Sequence, residues 1–340
     1  MEDAKGSAVL PEAQETSQDP AKWLCAFCRE HPVFSLCVIS LASLVLYLLV
    51  IGVALQNKRK KGNALLFHGR FLLYYGIMSF ASIAFAVIFP LRPKNVVNAL
   101  MTSPVATFIS FLLGVKWEMR GGEFLDELAG RSGKGGGPKG VVLIGNHQST
   151  LDSLGLMHFW PRFHPMAAVI KKEVFFVWPF GLAAYFAGSI YVDRSRGKTA
   201  FYSIEASAQR AAKENIKMFV FPEGTRNRAN LNWTGDDDSK QGLLPFKTGA
   251  FRAAISSGVP IVPVVFSPYV FVDEKRHLFG RGKAIVKVLP EIPTTGLTTD
   301  DIPAVMESAH KVMSEEYRSL RKELLSEIPP DHFVISKKAK

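Results

Sequence analysis

Cysteine is scarce: Cys25, Cys28 and Cys37 are the whole supply in 340 residues. Three clustered thiols build no disulfide framework. Cys25 and Cys28 form a CxxC, but no second Cys or His pair follows at zinc spacing, so neither a metal nor a redox cofactor is expected. Cys37 lies in an apolar run and reads as a small hydrophobe or an acylation candidate. Acidic residues are also in short supply. The 30 Asp and Glu against 41 Lys and Arg leave a formal net charge of +11. A basic balance suits nucleic acid, an anionic bilayer or a phosphorylated substrate. No recognised nucleic-acid-binding motif accompanies it, so no nucleic-acid partner is expected. The glycine-rich run from Gly135 to Gly140 formally matches GxGxxG. It precedes a strand instead of following one, and no Lys-Ser/Thr pair ends it, so it is neither a dinucleotide turn nor a Walker loop. The whole stretch Gly130–Gly140 reads as a flexible loop.

Apolar residues make up 48% of the chain and are concentrated between residues 33 and 115. Residues 1–30 are polar and read as a disordered segment with no cleavable signal peptide. Val33–Leu55 is a 23-residue run without a charge, long enough to span a bilayer. Lys58-Arg59-Lys60-Lys61 follows at once, which places that end in the cytosol. A second membrane segment covers residues 65–115. Its apolar stretches, Phe71–Phe89 and Val96–Val115, form a two-helix hairpin that either spans or lies in one leaflet. A single span by the first stretch alone would instead carry the rest of the chain to the lumen.

From Lys116 the pattern becomes α/β, and residues 116–328 are expected to form one globular domain, followed by a basic tail at 329–340. Short apolar runs alternate with helical stretches at Thr199–Glu214 and Gly249–Ser257. This predicts a mixed, largely parallel sheet flanked by helices. A last amphipathic helix is expected from Ile302 to Leu325, with Val305, Ala309, Val312, Met313, Tyr317 and Leu320 on its core face.

Two strand-turn clusters carry chemistry. In the first, the buried strand VVLIG runs into Asn146-His147-Gln148-Ser149-Thr150-Leu151-Asp152. Ser149 and Asp152 match a capping box, so Asp152 can be a helix cap and His147 an ordinary turn residue. The same fold-back can instead place the Asp152 carboxylate against one imidazole nitrogen and leave the other to act as a general base. In the second, Phe219–Phe221 leads into Pro222-Glu223-Gly224-Thr225-Arg226. Gly224 permits close backbone approach, and Arg226 offers a bidentate fork for phosphate.

Taken together these residues resemble the glycerolipid acyltransferases, especially the 1-acylglycerol-3-phosphate branch. The first family motif, NHxxxxD, is matched by Asn146-His147 through Asp152. The second resembles Gly188–Arg194, the third is FPEGTR at Phe221–Arg226, and the fourth resembles Val259–Val264. Leu244–Phe251 matches the segment between the third and fourth. The resemblance covers roughly Val115–Leu289. The acidic stretch Asp236-Asp237-Asp238 is a departure and reads as a surface loop. What the resemblance implies is an acyl-CoA-dependent transfer to the free hydroxyl of lysophosphatidic acid, or of glycerol 3-phosphate or another lysophospholipid. It implies a catalytic His147 oriented by Asp152, and a substrate site at Glu223, Gly224, Thr225 and Arg226 with Arg194, Lys171 and Lys172. Acyl-CoA enters as co-substrate, and no metal or other cofactor is implied. The terminal Lys337-Lys338 pair resembles a dilysine retrieval signal of endoplasmic reticulum membrane proteins. The sequon Asn232-Trp233-Thr234 is expected to stay unmodified on the cytosolic side.

Overall fold

The computed structural model describes residues 64–133, 140–193, 198–232 and 242–328. The span expected at 33–55, the basic cluster Lys58–Lys61, the three cysteines, Arg194, the Asp236–Asp238 loop and the tail lie outside the described residues.

Two apolar helices come first, α1 (Ala64–Ile88) and α2 (Thr102–Leu113). Short 3-10 turns at Phe89–Leu91 and Val96–Met101 join them. Then follow β1 (Val115–Arg120), α3 (Gly122–Gly133), β2 (Val141–Gly145), α4 (Leu151–His158), α5 (Trp160–Phe163) and β3 (Met166–Lys171). Next are α6 (Phe180–Phe186), β4 (Ile190–Val192), α7 (Lys198–Lys213), β5 (Lys217–Val220), α8 (Gly249–Ser257) and β6 (Ile261–Phe266). A small hairpin, β7 (Val272–Asp273) with β8 (Leu278–Phe279), precedes β9 (Gly282–Val288) and α9 (Ile302–Glu327).

Seven strands form one sheet in the order β1-β9-β6-β2-β5-β3-β4. Every pairing is parallel except β6 with β9. The expected mixed, largely parallel sheet is therefore observed. Its central strands are apolar on both faces because helices cover both, the usual condition of a parallel sheet. Along β2 the side chains alternate between two cores. Val141 and Leu143 join one with α1, α2, α4 and α5, while Val142 and Ile144 join another with α7, α8 and α9.

Two local expectations are corrected, and one element is new. Gly130–Gly133 continues a helix, α3, because Glu123-Phe124-Leu125-Asp126-Glu127-Leu128 sets a helical period that buries Leu125 and Leu128. Val312 is 37% exposed, and the core face of α9 continues instead through Leu324. The hairpin β7–β8 was not expected from its short runs.

The helix pair is not a separate body. Phe67, Leu73, Ile77, Phe85, Ile109 and Leu113 belong to the same core as β2 and α4. Arg70 is buried and donates through Nη1 to the carbonyls of Leu113 and Gly280, each at 3.1 Å. Asn98 Nδ2 donates to the carbonyls of Phe89, Arg92 and Phe186 at 3.3, 2.7 and 3.0 Å. The opposite sides expose Leu65, Leu72, Phe80, Val87, Phe108 and Phe111.

Helix α4 seats on β1 through Gly155, where an added Cβ would come within 2.6 Å of the Trp117 ring. Overpacking of this kind costs about 1–3 kcal/mol. Gly155→Ala is expected to lower the unfolding midpoint of the detergent-purified protein by several degrees. An unchanged midpoint would contradict this packing.

Candidate active site

Because β2, β5, β3 and β4 run parallel, their carboxyl ends share one edge of the sheet. Ligands of open α/β sheets bind beyond that edge. The turns after β2 and β5 meet there, and β6 ends beside them. Asn146, the residue after β2, ties the group together. Its Nδ2 donates to the Phe266 carbonyl at 3.0 Å, and its Oδ1 accepts from the Phe266 N–H at 2.8 Å.

His147 is held on four sides. Its backbone N–H donates to Glu223 Oε1 at 2.6 Å, and its carbonyl accepts from the Asn227 N–H at 2.8 Å. Its ring stacks on Phe221, with centroids 4.0 Å apart and planes within 15°. Its Nδ1 lies 2.7 Å from Asp152 Oδ2. A carboxylate there accepts, which assigns the proton to Nδ1 and leaves Nε2 with a lone pair. Among the described residues nothing bonds Nε2, and the imidazole retains 19% of its side-chain exposure. A base held this way can take a proton from a hydroxyl brought to Nε2.

Asp152 is fully buried. Oδ2 also accepts the N–H groups of Gln148 at 2.7 Å and Ser149 at 2.9 Å, and Oδ1 accepts the Tyr269 hydroxyl at 2.7 Å. The capping box forms only in part. Asp152 reaches back to Ser149 as expected, but Ser149 Oγ accepts from Leu151 N–H at 3.3 Å, not from Asp152. Helix α1 touches the same turn. The Tyr75 hydroxyl lies 3.2 Å from Thr150 Oγ1, and that of Tyr74 lies 3.5 Å from the Thr150 carbonyl.

The family model described as "Acyltransferase" matches residues 125–267. The human 1-acyl-sn-glycerol-3-phosphate acyltransferase beta is 32% identical over 259 residues, 75% of this chain and 85% of the relative. The human alpha form is 34% identical over 249 residues, 73% of this chain and 80% of the relative. The chain belongs to the 1-acyl-sn-glycerol-3-phosphate acyltransferase family. Among solved structures, the 1-acyl-sn-glycerophosphate acyltransferase PlsC of Thermotoga maritima aligns with 85% of this chain and 97% of its own. The TM-score is 0.47 and the identity 16%.

The other residues that the family pattern singles out are spread along the same edge. Glu223 is buried, with Oε1 on His147 and Oε2 accepting the Leu244 N–H at 2.9 Å. Both oxygens of its carboxylate face backbone, so it shapes the His147 turn from within. Gly224 takes φ +72°, and the Lys247 side chain lies over it, with Nζ 3.0 Å from where a Cβ would stand. Thr225 and Arg226 are exposed beside it, and Asn227 anchors the end of this turn to His147. Lys171 and Lys172 stand exposed one strand away at the end of β3, where Lys172 Nζ is 3.4 Å from Asp193 Oδ2.

Sequence reasoning missed Tyr269, Asn227, Lys247 and the pocket behind Phe221. The empty space there is about 740 Å³ with open solvent included. Phe221, on which the His147 ring stacks, lines the pocket together with Phe85, Phe89, Ser153, Leu156 and Trp160. Four of these are aromatic and come from three separate segments, with Phe85 and Phe89 neighbours at the end of α1, so no local pattern announces the set. Among the described residues no group of three or more His, Cys, Asp or Glu side chains is arranged to hold a metal.

Burial pushes the Glu223 carboxyl up to about 7; the two N–H donors pull the other way. An unfolded chain loses this proton near 4.5. The contribution of Glu223 to stability is therefore fully present below pH 4.5 and is lost as pH rises through 7, about 3 kcal/mol in all. Glu223→Gln cannot ionise and is expected to lack this slope. Unfolding midpoints of both proteins between pH 4.5 and 7.5 check it; parallel curves would contradict it.

Proposed function

We propose that the protein transfers an acyl chain from acyl-CoA to the sn-2 hydroxyl of 1-acylglycerol 3-phosphate, giving phosphatidic acid. The observation that carries this reading is the doubly clamped His147, with one nitrogen on Asp152, the other unbonded among the described residues, and its ring stacked on Phe221, which lines an apolar pocket. The human relatives, named for this acceptor, support the choice of substrate.

In the proposed reaction, His147 Nε2 removes the hydroxyl proton as the oxygen attacks the thioester carbon. Asp152 stabilises the imidazolium that forms. The carbonyl becomes a tetrahedral oxyanion, for which backbone N–H groups of the surrounding turns are the available donors. Its collapse expels the thiolate of coenzyme A, and the imidazolium returns the proton to it. Arg226 and Lys247 supply cations for the acceptor's phosphate, with Lys171 and Lys172 along the same edge; Arg194, outside the described residues, is the further cation the family pattern assigns to this site. Glu223 and Gly224 hold the turn that presents Arg226 and Thr225. The pocket takes acyl chain: its walls come from α1, α4, α5, α6 and the sheet, and they are chiefly apolar.

The domain plan that fits this reading has a disordered segment at 1–30, a span at 33–55, a membrane hairpin at 65–115, the acyltransferase domain at 116–328 and a basic tail at 329–340. Residues Ala64–Leu91, α1 with the turn after it, and Val96–Leu113, α2 with the turn before it, meet the length and hydropathy of membrane spans, yet each gives one side to the α/β core. A helix packed on a water-soluble domain along its length is not free to cross a bilayer. The hairpin therefore lies in one leaflet, its exposed apolar side toward lipid. The catalytic domain then stays on the side of Lys58–Lys61, the cytosolic face of the endoplasmic reticulum.

Purified protein is to be given oleoyl-CoA with a panel of acceptors: 1-oleoyl-lysophosphatidate, glycerol 3-phosphate, and lysophospholipids with larger headgroups. Thiol release is expected to be fastest with lysophosphatidate. It should fall by roughly 10²–10⁴ in His147→Ala, the usual worth of a general base. Turnover retained without the imidazole would sink the mechanism, and preference for another acceptor would sink the substrate assignment. For topology, Asn232 is expected to carry no glycan. An endoglycosidase-sensitive mass shift that vanishes in Asn232→Gln would place the domain in the lumen.

A further inference from the structure

Asp152 meets His147 with one oxygen, and the other needs an explanation. Oδ2 gathers three donors: the His147 imidazole and the N–H groups of Gln148 and Ser149. Oδ1 points away from that turn into the protein, where water has no access. A buried carboxylate oxygen without a donor is costly. Among the described residues its only donor is the Tyr269 hydroxyl at 2.7 Å.

Tyr269 comes from a different part of the chain, 117 residues on, just past the end of β6. It is 0% exposed, and its ring packs edge-on against Trp117 at 6.1 Å between centroids. The position of the phenol is thus set by β6 and β1, not by the turn that carries His147 and Asp152. Burial first, and the Asp152 charge second, push its phenol well above the usual range, so it remains a protonated donor at any working pH.

We infer that Tyr269 is a positioning residue for the His147–Asp152 pair: its hydroxyl fixes the rotation of the carboxylate so that Oδ2 faces Nδ1, and it draws charge toward Oδ1. This rests on the reading of His147 as the general base. Two consequences follow from the hydrogen bond. The carboxylate cannot swing its plane without losing a charge-assisted bond. The negative charge is shared between imidazole and phenol, so removing the phenol hydroxyl concentrates it on the imidazole side and strengthens the hold on an imidazolium.

Other ionisable groups face the pair from the elements around it. They are Tyr74 of α1, Glu223 after β5 and Tyr317 of α9, whose own neighbour is Arg321. Tyr317 does not bond Asp152; its hydroxyl donates to Gln148 Oε1 at 3.2 Å, and Gln148 Nε2 donates to the Ser267 carbonyl at 2.7 Å. Tyr74 reaches the Thr150 carbonyl. Tyr269 alone among the described side chains joins His147 in bonding the carboxylate.

The test is Tyr269→Phe, which removes one oxygen and keeps the ring packing. With oleoyl-CoA and 1-oleoyl-lysophosphatidate, kcat is expected to fall about tenfold while both KM values stay within about twofold. The acid limb of kcat/KM against pH is expected to move upward by several tenths of a pH unit. A tyrosine that merely packs would change the folded fraction and leave the limb in place. A limb that is unmoved or moves downward overturns the inference. Should the variant turn over too slowly, the pH dependence of His147 carbethoxylation, read by peptide mass on folded protein, gives the same answer without activity. His147→Ala run alongside separates the two claims. If it retains turnover, the general-base reading fails. If it is inactive and Tyr269→Phe keeps the wild-type limb, only the role of Tyr269 fails.

Discussion

A single buried carboxylate organises this site. Asp152 has no access to water, so each of its oxygens must find donors within the protein, and the donors it finds are what give the turn its shape. Two backbone N–H groups fold the chain after β2 back over the start of α4. The His147 imidazole is drawn onto the same oxygen, and a phenol from beyond β6 closes the other. Without the carboxylate, the N–H groups of Gln148 and Ser149 would lose their acceptor and the imidazole its orientation together. Capping and imidazole orientation are thus one interaction, and the proposed chemistry uses what the fold already requires.

The sheet explains why the remaining residues converge. Parallel strands put the ends of β2, β5, β3 and β4 on one edge, and each end releases a turn with polar side chains. The strongest cross-link between turns is made through backbone. Glu223 and Asn227 grip the N–H and the carbonyl of His147, so the FPEGTR turn is built onto the histidine it serves. Exposed Arg226 and Lys247 are left at the surface of that turn, where an anionic headgroup can reach them. The apolar pocket lies behind Phe221, the ring on which the imidazole stacks, toward the helix pair. A substrate with a phosphate at one end and hydrocarbon at the other matches that polarity.

What the sequence revealed, it revealed locally. The run VVLIG announced a two-faced buried strand, and the spacing from His147 to Asp152 announced a fold-back, because both are encoded within a few residues. The α8 boundaries were legible for the same reason. Tyr269 was not, since a Ser-Pro-Tyr after a strand looks like any loop and its partner lies 117 residues earlier. Glu223 could be found by motif, but its buried position under His147 could not. Its carboxylate reads as a ligand group in sequence and proves to be bonded to backbone in space. Val312 failed as a core residue because the contact surface of α9 is decided by β6 and α8, not by helical period alone. The helix pair was ambiguous in sequence, as hydropathy measures suitability for lipid and says nothing of a protein surface that competes for the same face.

The central claim is that His147 Nε2 receives the proton of the acceptor hydroxyl. It is tested most directly by a structure of the protein in membrane-mimetic nanodiscs with 1-oleoyl-lysophosphatidate and a non-hydrolysable thioether analogue of oleoyl-CoA. The account predicts the sn-2 oxygen within hydrogen-bond distance of Nε2, the phosphate at Arg226 and Lys247, and acyl chain in the pocket behind Phe221. A hydroxyl held away from the imidazole, with Nε2 facing solvent or another protein group, would contradict it.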